Sequence, residues 1–189
     1  MPSFSAVLLA GGKSKRMGRD KALLPVPNSN LLLWQRQLSV LEDLQLDEIF
    51  WSGPPRPGLP DLLRIVEDVV SNAGPLAGIC ACLNLMTSDL LIVLAIDLPQ
   101  MSSSFMKDLQ GQCSSEQGVV PHNGDFFEPL AAIYPKRIRT IAQEHLGEGR
   151  HALQDLVQKA AEQNLVRTFC VTEKQRELFQ NWNEPKARP

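Results

Sequence analysis

Residues 9–21 run Leu-Ala-Gly-Gly-Lys-Ser-Lys-Arg-Met-Gly-Arg-Asp-Lys. Five cations, Lys13, Lys15, Arg16, Arg19 and Lys21, stand against one acid, Asp20. Glycines let backbone N–H groups come close to phosphate oxygens, and the cations offset phosphate charge. The combination suits a nucleoside triphosphate. It is not a P-loop, because Gly18 is followed by Arg19-Asp20. Nor is it the dinucleotide fingerprint, because Gly11 and Gly12 are adjacent. A solvated basic turn would have the same composition, but the segment directly follows an apolar run at 5–10, which favours phosphate binding. The second candidate is Asp97, at the end of the wholly apolar run 90–96. Placed there it can share a ligand edge with Gly11-Gly12, or it can be a turn residue or helix cap ahead of Pro99.

Both candidates need elements that bring them to one edge. Residues 5–10, 47–51, 63–66, 90–96, 118–121, 129–134 and 165–171 read as strands. Residues 31–44, 76–86, 102–110, 138–146 and 153–161 read as helices, with Pro75 in a first turn and Ser102 as an N-cap. The loop 53–60 is rich in Pro and Gly. Strands alternating with helices predict an α/β fold, a three-layer α/β/α sandwich around a mostly parallel sheet. In such sheets ligands lie at the carboxyl ends of the strands, so Gly11-Gly12 and Asp97 are expected to share one ligand site. No repeat or linker interrupts residues 1–189, which read as one domain.

The 189 residues carry a net charge of −2, and the basic segment has no interleaved aromatics; both argue against a nucleic-acid module. Four cysteines, Cys80, Cys82, Cys113 and Cys170, form no C-x-x-C pair, and Cys80 and Cys82 read as buried thiols. No signal peptide and no membrane-length apolar run is visible, so the expected location is the cytoplasm, with no membrane partner. His122, His145 and His151 do not cluster in sequence.

Residues 9–24 resemble the signature L-A-G-G-x-S-x-R-M-G-x-D-K-x-L-L of the molybdenum cofactor guanylyltransferases, also called molybdopterin guanine dinucleotide synthases. Related cytidylyl and sugar-phosphate transferases share its core, but usually lack the acid before the lysine, so Asp20-Lys21 favours the guanylyl branch. Glu67-Asp68 with Gly74-Pro75-Leu76-Ala77-Gly78, the segment 94–99, and Asn181-Trp182-Asn183-Glu184-Pro185 resemble further family elements in the same order. The chain departs from the pattern at Asn28-Ser29-Asn30, where a Gly-containing turn is usual, and at Glu184, where Thr is usual.

The resemblance implies a Rossmann-like nucleotidyltransferase fold, GTP as donor, the molybdopterin cofactor as acceptor and Mg2+ as metal. Partner proteins of cofactor biosynthesis and molybdoenzyme chaperones are implied as well. Leu9, Ala10, Gly11 and Gly12 would wall the nucleotide, Arg16 and Lys21 would neutralise phosphates, Asp97 would hold Mg2+, and Asp68 would contact the guanine nucleotide. Asn181 and Asn183 would bind the pterin by amide hydrogen bonds. Gly74 and Gly78 would either approach base or ribose, or serve as a turn and a helix-packing glycine. Glu128-Pro129-Leu130 resembles a stretch near the acceptor. A family nucleotide contact falls around Trp51-Ser52-Gly53. The rival functions are a transferase of the same fold using CTP or a sugar phosphate, and a non-catalytic nucleotide-binding protein.

Overall fold

The computed structural model describes residues 1–11, 20–27, 29–67, 70 and 73–182. Seven strands form one sheet: β1 (Phe4–Leu9), β2 (Glu48–Ser52), β3 (Leu63–Val66), β4 (Leu90–Ala95), β5 (Gly118–His122), β6 (Ala131–Pro135) and β7 (Val166–Cys170). Their order across the sheet is β3-β2-β1-β4-β6-β5-β7. All pairings are parallel except those of β6, which runs antiparallel to both β4 and β5. The expected α/β fold with a mostly parallel sheet is therefore what the chain forms. The reversed strand was not expected: the apolar run of residues 129–134 marks a strand but carries no direction. Its cause is the short connection after β5, which returns directly into the sheet instead of crossing through a helix.

Alternation along the strands divides the core. Ala6 and Leu8 of β1, with Leu90, Ile92 and Leu94 of β4, face α1 (Leu33–Glu42) and α3 (Ser103–Gln110). Val7 and Leu9, with Leu91 and Val93, face α2 (Pro75–Leu85), α4 (Arg139–Gly147) and α5 (Leu153–Glu162). Every residue of β4 is buried, as expected of an all-apolar strand with helices over both faces. Ser102 caps α3, its side chain accepting from the Phe105 N–H at 3.3 Å, and Pro75 starts α2. α2 is buried along nearly its whole length because its residues are apolar on every side, so it sits between the sheet and α4 rather than at the surface. Cys80 and Cys82 lie there as buried thiols, and burial pushes Cys80 up to about 11. Two 3-10 turns, Lys21–Leu23 and Glu173–Phe179, were not expected from sequence. Among the described residues no helix is long and apolar enough to cross a membrane.

Candidate active site

The carboxyl ends of β1 and β4 are adjacent and parallel, with Leu9 opposite Ala95. The pairing runs past both strands: the Ile96 N–H donates to the Leu9 carbonyl at 3.1 Å and the Ala10 N–H to the Ser52 carbonyl at 2.8 Å. Gly11 and Asp97 thus emerge side by side above the sheet. Lys21 returns to the same place, its Nζ 3.7 Å from Asp97 Oδ2, with both side chains about a quarter exposed (23% and 26%). Leu9, Ala10, Gly11, Lys21 and Asp97 line one cleft together with Asp20, Pro75 and Leu130. The structure therefore gathers five of the predicted residues. Gly12, Arg16 and Asp68, with Lys13, Lys15 and Arg19, lie outside the described residues, as do Asn183 and Glu184.

Other predicted residues have distinct places. Gly74 caps α2 with φ +66°, a backbone state that favours glycine. Gly78 packs α2 onto the sheet, and a Cβ there would stand 2.2 Å from Ser52 Oγ and 3.2 Å from a Leu9 methyl. Gly53 has φ +147°, and a Cβ on it would meet the Ala10–Gly11 peptide at 2.7 Å. Only glycine fits where the loop after β2 crosses the end of β1. Asn181 is exposed and precedes Trp182, whose N–H donates to the Asp97 carbonyl at 2.9 Å, so Trp182 lies against the candidate metal residue. Glu128, on the approach to β6 along the same edge, is partly buried. Burial pushes its carboxyl above the usual range, opposed by the hydrogen bond from Asn123 Nδ2 at 2.7 Å.

Three positioning contacts escaped the sequence reading. Gln37, buried on α1, donates to the Leu98 carbonyl, and Arg36 donates to the Met101 carbonyl at 2.9 Å. Together they hold the turn after Asp97 to α1. A polar residue among Leu33, Trp34, Leu38 and Leu41 was the available signal for Gln37, since a buried amide needs a partner. The third is Arg56, whose guanidinium forks onto Asp20, with Nε to Oδ2 at 2.7 Å and Nη2 to Oδ1 at 2.9 Å. That fork, rather than the 3.1 Å bond from the Ala22 N–H, is the main reason the Asp20 carboxyl sits below its ordinary value. The signal was a lone cation in a Pro/Gly loop that follows a strand on the ligand edge.

Asp97 offers hard oxygen to a cleft that also holds a lysine. Among the described residues no group of three or more His, Cys, Asp or Glu gathers into a metal cage. That donor set fits a metal that keeps most of its waters and completes its shell with substrate phosphates, as Mg2+ does. It does not fit a metal that needs an all-protein shell.

Residues 6–167 match the model of the MobA-like NTP transferase domain. The chain belongs to the MobA-like NTP transferase family. A relative from Opitutus terrae named "Probable molybdenum cofactor guanylyltransferase" is 34% identical over 98% of this chain and 93% of its own. A "Molybdenum cofactor guanylyltransferase" of Syntrophotalea carbinolica is 35% identical over 79% of this chain and 71% of its own. Among solved structures, molybdopterin-guanine dinucleotide biosynthesis protein A from Archaeoglobus fulgidus superposes with a TM-score of 0.73 at 21% identity, covering 96% of this chain and 93% of that one. This transferase therefore shares the fold of that solved structure. Its enzyme class, nucleotidyl transfer, agrees with a cleft that joins Gly11, a lysine and an aspartate.

Proposed function

We propose that the chain transfers GMP from GTP to the terminal phosphate of the molybdopterin cofactor, forming molybdopterin guanine dinucleotide and releasing pyrophosphate. The observation that carries this reading is the meeting of Lys21 and Asp97, 3.7 Å apart, at the ends of two adjacent strands in a chain whose relatives are named for that reaction. In the reaction an oxygen of the acceptor phosphate attacks the α-phosphorus of GTP. One P–O bond forms, and the bond to the β-phosphate oxygen breaks in line with it, its electron pair leaving with pyrophosphate. No covalent enzyme intermediate is required, so positioning and charge neutralisation supply the catalysis.

The backbone at Leu9, Ala10 and Gly11 orients the donor, and Lys21 binds its phosphates. Asp97 would hold Mg2+, which when bound neutralises phosphate charge. Asn181, which precedes the Trp182 bonded to the Asp97 carbonyl, and Asn183 would bind the acceptor. By the family resemblance, Gly12 and Arg16 would add phosphate contacts and Asp68 would contact the guanine nucleotide. The test is calorimetric titration of GTP, CTP, ATP and UTP with Mg2+, followed by pyrophosphate release with molybdopterin. GTP selectivity with turnover supports the reading. Preferred binding of CTP moves the activity to a cytidylyl transfer, and binding without pyrophosphate release leaves a non-catalytic nucleotide-binding protein.

A further inference from the structure

Arg56 lies in the loop after β2, yet only 6% of its side chain is exposed. Besides the two bonds to Asp20, its Nη2 donates to the Ala10 carbonyl at 3.1 Å and its Nη1 to the Pro54 carbonyl at 3.0 Å. The guanidinium carbon stands 5.1 Å from the ring centre of Trp51, whose own Nε1 donates to the same Pro54 carbonyl at 3.0 Å. Ala10 immediately precedes the glycines and Asp20 immediately precedes Lys21. One nitrogen, Nη2, is thus bonded to residues at both ends of the glycine-rich segment.

We propose that Arg56 is a positioning residue for nucleotidyl transfer. It joins the two ends of the glycine-rich segment, cancels the segment's single acid and sets Lys21 against Asp97. This rests on the reading of that segment as the triphosphate site. Three arguments support it. Holding Ala10 and Asp20 on one rigid plane fixes these two cleft residues relative to each other before a triphosphate arrives. Asp20 lines the same cleft and would repel phosphate, and the forked, charge-assisted pair engages both of its carboxylate oxygens and offsets that charge. Lys21 adjoins Asp20 in sequence, so fixing one carboxylate fixes where the next side chain starts. The planar fork is needed because a lysine at 56 has the charge but cannot bond both carboxylate oxygens and the Ala10 carbonyl from one plane.

The experiment measures pyrophosphate release against concentration of the preferred triphosphate for wild type, Arg56→Ala and Arg56→Lys, with and without guanidinium ion at tens of millimolar. Arg56→Ala is expected to raise the donor KM by about tenfold or more and lower kcat by a smaller factor, since the loss falls mainly on donor preorganisation. Arg56→Lys should resemble Arg56→Ala, and guanidinium should restore a large part of the Arg56→Ala loss. Asp20→Ala combined with Arg56→Ala should be no worse than the more impaired single variant. Wild-type KM and kcat in either Arg56 variant, or a loss in Arg56→Ala that guanidinium does not relieve, would overturn the role. Should Arg56→Ala fail to fold, the Arg56→Lys kinetics decide alone. A wild type that binds no triphosphate sinks the donor-site reading instead, so the two failures are distinguishable.

Discussion

At the scale of single residues, Asp97 and Lys21 separate chemistry from stability. The Asp97 carboxylate faces the cleft and meets Lys21, whereas the structural bond to the C-terminal segment comes from the Asp97 backbone carbonyl. Substitution of the side chain therefore spares that bond. An ion pair whose members are each about a quarter exposed contributes no more than about 1 kcal/mol. Asp97→Asn should leave the thermal midpoint within about 4 °C of wild type while lowering kcat by about 100-fold or more. Pyrophosphate release and a melting curve on the same preparation check both halves, and a large drop in midpoint with normal turnover would reverse the assignment. His145 carries a different prediction. It is fully buried in α4, and neither ring nitrogen has a hydrogen-bond partner among the described residues. Burial holds it below its ordinary value of 6.5, helped by Arg150 and Lys159 and opposed by Glu148 and Asp155. The unfolded chain therefore takes up the proton first. The stability this histidine lends is whole above the ordinary value and is lost as pH falls through it towards the lower folded value. Urea midpoints measured from about pH 7 to about pH 5 should fall more steeply for wild type than for His145→Leu. Parallel curves would show that His145 does not titrate across unfolding.

At the scale of elements, the close approach of α2 to β1 and β2 decides how the cleft is walled. Gly78 leaves room for Ser52 Oγ, which would stand 2.2 Å from an added Cβ. Gly78→Ala should cost about 1–3 kcal/mol by pushing α2 away from the strand ends. Ser52→Ala removes the oxygen but keeps its own Cβ, 3.0 Å from the same point, so the double variant should recover part of the loss and not all of it. Denaturant midpoints of the four proteins test this, and strict additivity would mean that α2 had found another seat. The same element shows what sequence could and could not disclose. Pro75 and the apolar run behind it mark a buried helix, and the all-apolar 90–96 run marks the central strand, because patterning is a local signal. The reversal of β6, the fork of Arg56 on Asp20 and the Gln37 bond to Leu98 were not legible. Each depends on which loop meets which strand end, a long-range fact that no local window contains. The placement of Gly11 and Asp97 at one sheet edge was legible, because each directly follows a buried strand.

At the scale of the whole molecule, one sheet edge gathers Leu9, Ala10, Gly11, Lys21 and Asp97. β1 and β4 end at this cleft, β6 begins beside them at Leu130, and Trp182 bonds to the Asp97 carbonyl. The opposite ends of these strands carry structural contacts instead, such as the Ser3 N–H bonded to the Asp89 carboxylate at 2.9 Å. A ligand at the edge touches the ends of several strands at once, so it should stabilise the sheet as a unit. With GTP and Mg2+ at about 100 times the dissociation constant, linkage supplies about 2.7 kcal/mol. For a chain of 189 residues that is a rise in thermal midpoint of about 5–10 °C. Mg2+ alone should give little, because one carboxylate offers it few ligands, and GTP alone should give less than the pair, because Asp97 then faces the phosphates without a bridging cation. In Asp97→Asn the difference between GTP with and without Mg2+ should vanish while some GTP effect persists through Lys21 and the β1 backbone. If the Mg2+ difference survived in Asp97→Asn, the metal would be held by the phosphates alone, and Asp97 would belong to the turn before Pro99 instead of to the reaction.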